Sequence, residues 1–125
     1  MGMNQEKISK TDKEFVRANV LTDILVDKQI ADVLLLDLRN FQTFADFFII
    51  GTVDNVRQAK TVIDLIYKQK KEFSNIQIKQ DGGPESNWIL LDVAGIVIHL
   101  FTQEARVFYD LETLWSDAKT VLRIH

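Results

Sequence analysis

The sequence contains no cysteine. That single absence excludes disulfide staples, thiolate nucleophiles and cysteine-based metal sites, and it suits a reducing compartment. Histidine is almost as scarce, with only His99 and His125, so a zinc site built on clustered imidazoles is excluded as well. No apolar stretch approaches the roughly 20 residues that a membrane-spanning helix requires. The longest runs are four residues, among them Val33 to Leu36, which is bracketed by Asp32 and Asp37. The opening Met1-Gly2-Met3-Asn4-Gln5-Glu6-Lys7 carries no hydrophobic segment of a secretory signal, and Glu6 stands where an N-myristoylation motif requires Ser or Thr. The expectation is a cytoplasmic protein with no membrane partner.

Proline occurs once, as Pro84 in Asp81-Gly82-Gly83-Pro84-Glu85-Ser86-Asn87, which is the one long loop signal in the chain. An excess of positive charge is also missing, because the formal net charge is −3. Proteins that grip nucleic acid directly usually present a basic face. Here the densest basic group, Lys68, Lys70 and Lys71, lies on a predicted helix among acidic residues and reads as a solvated face. Sequence-specific contact with nucleic acid is therefore not expected, and a ribonucleoprotein partner would be met through its protein.

What is present is sufficient for one domain: 125 residues, 46% of them hydrophobic and 26% charged. We expect a flexible N-terminus over 1–10, a domain over 11–117 and a C-terminal tail over 118–125. Thr11 and Glu14 fit a capping box ahead of a helix with Phe15, Ala18, Leu21, Ile24 and Leu25 at helical spacing. Asp32 to Leu38 and Phe47 to Gly51 read as strands buried on both faces. A second helix follows, capped by Asp54 or Asn55, with Val56, Ala59, Ile63, Ile66, Tyr67 and Phe73 along one stripe. Ile76 to Lys79 alternates as a half-exposed strand. Trp88 to Val93 and Ile96 to Phe101 are two more strands, joined tightly through Ala94-Gly95 with Gly95 at positive φ. Thr102 caps a short helix, and Leu111 to Trp115 forms a last helical turn. The order α-β-β-α-β-β-β-α predicts an α/β fold with a mixed sheet of about five strands. It also predicts a parallel crossover from strand two to strand three through the long helix.

The sequence carries no recognisable catalytic constellation. Asp32 and Asp37 flank one strand at a spacing that sends them to opposite faces. Ser9, Ser74, Ser86 and Ser116 sit near predicted element ends with no nucleophile motif, and Gly82-Gly83-Pro84 is neither a Walker nor a dinucleotide loop. His99 shares its strand face with Val97 and Phe101 and reads as a hydrogen-bonded structural residue. We expect no enzyme activity, no catalytic residue, no metal and no cofactor. The remaining signal is aromatic and positional, running from Asp81 through Trp88 to Trp115. Trp88 follows the Gly-rich loop directly, where it could anchor an interface, while Trp115 would pin the last helix to the sheet.

These residues, in order, resemble one family. Asp32-Val33-Leu34-Leu35-Leu36-Asp37-Leu38, Asp46-Phe47-Phe48-Ile49-Ile50 and Arg57-Gln58 are similar to the first half of the ribosomal silencing factor family, also called RsfS or iojap. Asp81-Gly82, Trp88-Ile89-Leu90-Leu91-Asp92, Val97-Ile98-His99-Leu100-Phe101 and Tyr109-Asp110-Leu111-Glu112-Thr113-Leu114-Trp115 are similar to its second half. The chain departs from the family pattern at Ala45-Asp46-Phe47, at Gly51 to Val56, at Val93-Ala94-Gly95 and at Asp81, where Glu is usual. The resemblance implies a nucleotidyltransferase-like fold without catalytic residues, often a homodimer. It implies a translational silencer that binds the large ribosomal subunit through the universal large-subunit protein number fourteen and sterically blocks joining with the small subunit. The alternatives are a large-subunit assembly adaptor and a minimal nucleotidyltransferase. On this reading Asp81, Trp88, Leu90, Leu91 and Asp92 are the partner contacts. His99, Tyr109, Leu111, Glu112 and Trp115 are the scaffold behind them.

Overall fold

A computed structural model describes residues 12–125. Its first helix, α1 (Lys13–Asp27), is capped by Asp12, whose carboxylate accepts the Phe15 N–H at 3.3 Å. Thr11 of the expected capping box lies outside the described residues. Strands β1 (Ala31–Asp37) and β2 (Phe47–Thr52) follow as an antiparallel pair. Helix α2 (Val56–Gln69) starts at Asn55, whose side chain accepts the Gln58 N–H at 2.8 Å. It ends in a short 3₁₀ turn (Lys70–Phe73) before β3 (Ile78–Asp81), β4 (Trp88–Val93) and β5 (Ile96–Phe101). Two short helices, α3 (Gln103–Tyr109) and α4 (Leu111–Leu114), lead into β6 (Lys119–Ile124).

The fold is mixed α/β, with sheet order β3-β4-β5-β2-β1-β6. One detail differs from the expectation and another is completed by the structure. The chain after residue 117 is not a tail, because β6 pairs antiparallel with β1 and makes a sixth strand. Only Val121 and Leu122 in it turn inward, between Lys119 and Arg123, so its alternation is too short to stand out. The crossover through α2 returns the chain in parallel, as expected. It delivers the chain to the far edge as β3, and the antiparallel run β3-β4-β5 brings β5 back as the parallel neighbour of β2.

Strand parity divides the core in two. On one face Val33, Leu35, Ile49, Leu91 and Ile98 pack with Leu21 and Leu25 of α1 and Ile63 and Ile66 of α2. On the other, Leu34, Leu36, Phe48, Ile50, Val97 and Phe101 form a second apolar layer. Among the described residues that layer is covered by α3, α4, the rings of Phe41 and Trp115, and Leu38, Ala45 and Ala118 of the connecting segments. At the β4–β5 turn Ala94 has φ 51° and Gly95 φ 91°, the paired positive angles of a type I′ hairpin, whose twist matches the strands it joins. No described helix is long and apolar enough to cross a membrane.

Candidate docking surface

The strand register puts most of the singled-out residues on the thinly covered face. Asp81 lies opposite Leu90, Leu90 opposite His99 and His99 opposite Ile50. Lys79 lies opposite Asp92, Asp92 opposite Val97 and Val97 opposite Phe48. Trp88 lies opposite Phe101. Residues directly opposite one another share a sheet face, so Asp81, Trp88, Leu90, Asp92 and His99 are neighbours. Toward β1 this face is roofed by α3 and α4. Toward β3, Leu90 and Asp92 remain half-buried and Asp81 is exposed at the sheet edge.

Leu91 is not among them. It points to the opposite face and is fully buried against the α1–α2 layer. Alternation along β4 makes Leu90 and Leu91 exclusive choices, and the register assigns the free surface to Leu90.

Trp88 is held from below. Its Nε1–H donates to His99 Nδ1 at 3.1 Å, and its ring lies 4.9 Å from Phe101 and 4.7 Å from Tyr109. His99 is only 3% exposed. Burial pushes its pKa from 6.5 down to about 4, so the imidazole is neutral near pH 7. Because Nδ1 accepts from Trp88, the ring proton sits on Nε2, which is buried without a hydrogen-bond partner among the described residues. The Phe48 ring stands edge-on 4.5 Å from His99 and 5.5 Å from Trp115, and Trp115 meets Phe41 at 5.7 Å. These rings join β5, β2 and α4 into one aromatic layer under the open edge, with Leu111 packed against it. Asp92 has a local duty too, accepting the Gly95 N–H at 3.0 Å within the hairpin turn. Tyr109 is half-exposed while its ring still touches Trp88.

Glu112 belongs to a polar lock that sequence reasoning did not find. Buried Arg106 of α3 donates through Nε to Glu112 at 2.8 Å, and through Nη1 to the Asp32 carbonyl and to Thr52 Oγ1 at 3.0 Å. Arg123 of β6 donates to both Asp32 carboxylate oxygens at 3.1 and 2.9 Å. Burial opposes ionisation of Asp32, but the Arg123 hydrogen bonds and the charges of Arg106 and Arg123 outweigh it and hold its pKa below 3.8. Asp32 bends into this position at φ 47°, where the β1 register is irregular. Asp37 lies on the other side with Arg39, so the two carboxylates do not meet. No group of three or more His, Asp or Glu that could hold a metal occurs among the described residues.

Also missed were Val107, Phe108 and Leu114, whose side chains are mostly solvated. A signal for the first two existed. Val107-Phe108-Tyr109 are consecutive on a helix, where each step turns about 100°, so three such residues cannot all face one core.

An open sheet edge with an apolar centre, charged borders and an aromatic layer beneath makes this face the candidate docking surface. The comparisons with known proteins give the family. The chain belongs to the ribosomal silencing factor family: the family model described as "Ribosomal silencing factor during starvation" matches residues 10–124. It is 36% identical to the ribosomal silencing factor RsfS of Bacillus subtilis over 93 residues, 74% of this chain and 78% of the relative. It is 27% identical to the mouse protein named "Mitochondrial assembly of ribosomal large subunit protein 1", covering 78% of this chain and 44% of that longer protein. A crystal structure of a Chromobacterium violaceum protein superposes with a TM-score of 0.69 at 28% identity, covering 80% of this chain and 84% of that one.

Proposed function

We propose that this chain silences translation by docking on the large ribosomal subunit, through the universal large-subunit protein number fourteen, and so obstructs joining with the small subunit. The observation that carries this reading is the match to the silencing-factor family over 10–124. The contact set is Asp81, Trp88, Leu90 and Asp92. An apolar centre at Leu90 with carboxylates on either side suits a basic ribosomal protein, and the chain's net charge of −3 favours that encounter. Steric exclusion needs affinity and position rather than chemistry, so the reading includes no cofactor and no catalytic step. It places the protein in the cytoplasm, where ribosomal subunits join.

Co-sedimentation with purified large subunits tests it. Wild type should travel with the subunit. Leu90→Asp combined with Asp81→Lys should stay at the top of the gradient while its circular dichroism is unchanged. Co-sedimentation of that variant at wild-type affinity would move the interface elsewhere.

A second reading, large-subunit assembly, is favoured by the printed name of the mouse relative. Gradient profiles separate the two, because a silencer shifts joined ribosomes to free subunits whereas an assembly factor travels with immature precursors. A minimal nucleotidyltransferase would need paired carboxylates. Asp32 and Asp37 lie apart and are each tied to arginine, and titration with magnesium and nucleotide should release no binding heat.

A further inference from the structure

The surfaces of α3 and α4 carry exposed apolar side chains, of which Phe108 and Tyr109 meet edge to face at 5.0 Å. Val107 is 70% exposed, Phe108 79%, Leu114 77% and Tyr109 50%. Helix α3 already buries Ala105 and Arg106, so polar residues at positions 107, 108 and 114 would leave the core intact. Contiguous exposed apolar side chains ringed by polar ones mark contact sites. This patch is continuous with the docking edge, since Tyr109 touches Trp88 at 4.7 Å on one side and Phe108 at 5.0 Å on the other.

The segment that carries these side chains is acidic. Between Gln103 and Asp117 the ionised groups are Glu104, Asp110, Glu112 and Asp117 against Arg106 alone. Arg106 is buried and committed to Asp32 and Glu112, so it contributes little positive potential outside. Glu104, Asp110 and Asp117 are all exposed. Such a rim repels a phosphate backbone. It also opposes a second copy packed patch to patch, because a two-fold contact brings identical surfaces together and sets carboxylates against carboxylates. Beside the patch, Asn87, Glu104, Phe108 and Tyr109 border a cavity of about 370 Å³. Its carboxylate and rings suit the aliphatic stem and cationic head of a lysine or arginine.

We propose that the partner contact continues from β4 onto α3 and α4, where the acidic-rimmed patch receives a Lys- or Arg-bearing segment of a protein with an apolar anchor. This rests on the docking reading above and extends its footprint. Phe108 and Leu114 supply the apolar area, and Glu104 and Asp117 supply the charge.

The test is co-sedimentation of the full chain with purified large subunits. Phe108→Ser combined with Leu114→Ser should weaken binding by at least about tenfold while leaving the unfolding midpoint unchanged, since both side chains are already solvated. Glu104→Lys combined with Asp117→Lys should weaken it most at low salt, with the deficit shrinking as salt screens the rim. If the serine variant binds within about twofold of wild type while the Leu90→Asp, Asp81→Lys variant is lost, this extension fails and the docking reading stands. If wild type itself does not sediment with the subunit, both fail. If the serine variant loses self-association and keeps subunit binding, the patch serves a second copy and the proposal is overturned.

Discussion

Lowering the pH from about 7 to about 5 should destabilise this protein chiefly through His99. Its imidazole is 3% exposed. Its Nδ1 accepts the Trp88 indole proton, and its pKa falls from 6.5 in the unfolded chain to about 4 in the fold. Burial is the cause, and an added proton on Nδ1 would face the Trp88 N–H. The folded pKa lies below the unfolded one, so in the window between them the unfolded chain binds the extra proton. The associated stability is therefore complete above 6.5 and is lost progressively as pH falls toward 4. With about 1.4 kcal/mol per unit, the full window holds roughly 3 kcal/mol, of which about 2 kcal/mol disappears between pH 7 and 5. For a domain of this size that is on the order of 8 °C in Tm. Asp32 and Asp37 have pKa values held below 3.8, so they titrate under this window. The assay is urea unfolding at a series of pH values for wild type and His99→Gln, which removes the titration and retains an acceptor for Trp88. Wild type should lose stability steeply across the window and the variant should not. Parallel curves would refute the assignment of this pH dependence to His99.

Other substitutions probe the remaining structure. Leu91→Ala should cost about 2–5 kcal/mol, while Leu90→Ala costs markedly less and acts on binding; comparable costs in denaturant titration would contradict the assigned register. Arg106→Ala leaves Asp32 and Glu112 without their buried cation and should cost about 3 kcal/mol, and a cost under about 1 kcal/mol would mean the lock is ornamental. Gly95→Ala should lower stability by more than about 1 kcal/mol, because a Cβ there would sit 2.9 Å from the Asp46 carboxylate at φ 91°; an unchanged melting curve would argue against the type I′ turn.

How far the sequence could be read depended on the kind of signal. Helix caps are local chemistry, and Asn55 and Thr102 stand where their side chains bond the first free amides. Parity is local as well, so the two-faced burial of Val33 to Leu36 follows from the run itself. Strand order is not local. Nothing in Phe47 to Thr52 tells that its parallel partner is β5 rather than β3, because that pairing is settled by how the β3-β4-β5 meander folds back. Lys119–Ile124 was hidden for a related reason: an edge strand needs few apolar residues, and its hold on β1 includes an ion pair, Arg123 with Asp32, 91 positions apart. In the candidate surface, the neighbourhood of Trp88, Leu90 and Asp92 could be read once β4 was placed. The choice of Leu90 over Leu91 could not, because alternation has two phases and only the layer beneath decides between them. Arg106 was beyond sequence reading, since its burial depends on Asp32, Thr52 and Glu112 arriving from three other elements.

The central claim is that occupancy of the large subunit by this protein obstructs joining. It is tested most directly by mixing purified large and small subunits with increasing protein and following joined ribosomes by light scattering. The account predicts a dose-dependent fall in joining with wild type, and normal joining with the Leu90→Asp, Asp81→Lys variant at the same concentrations. Joining that proceeds unchanged while wild-type protein saturates the large subunit would contradict it.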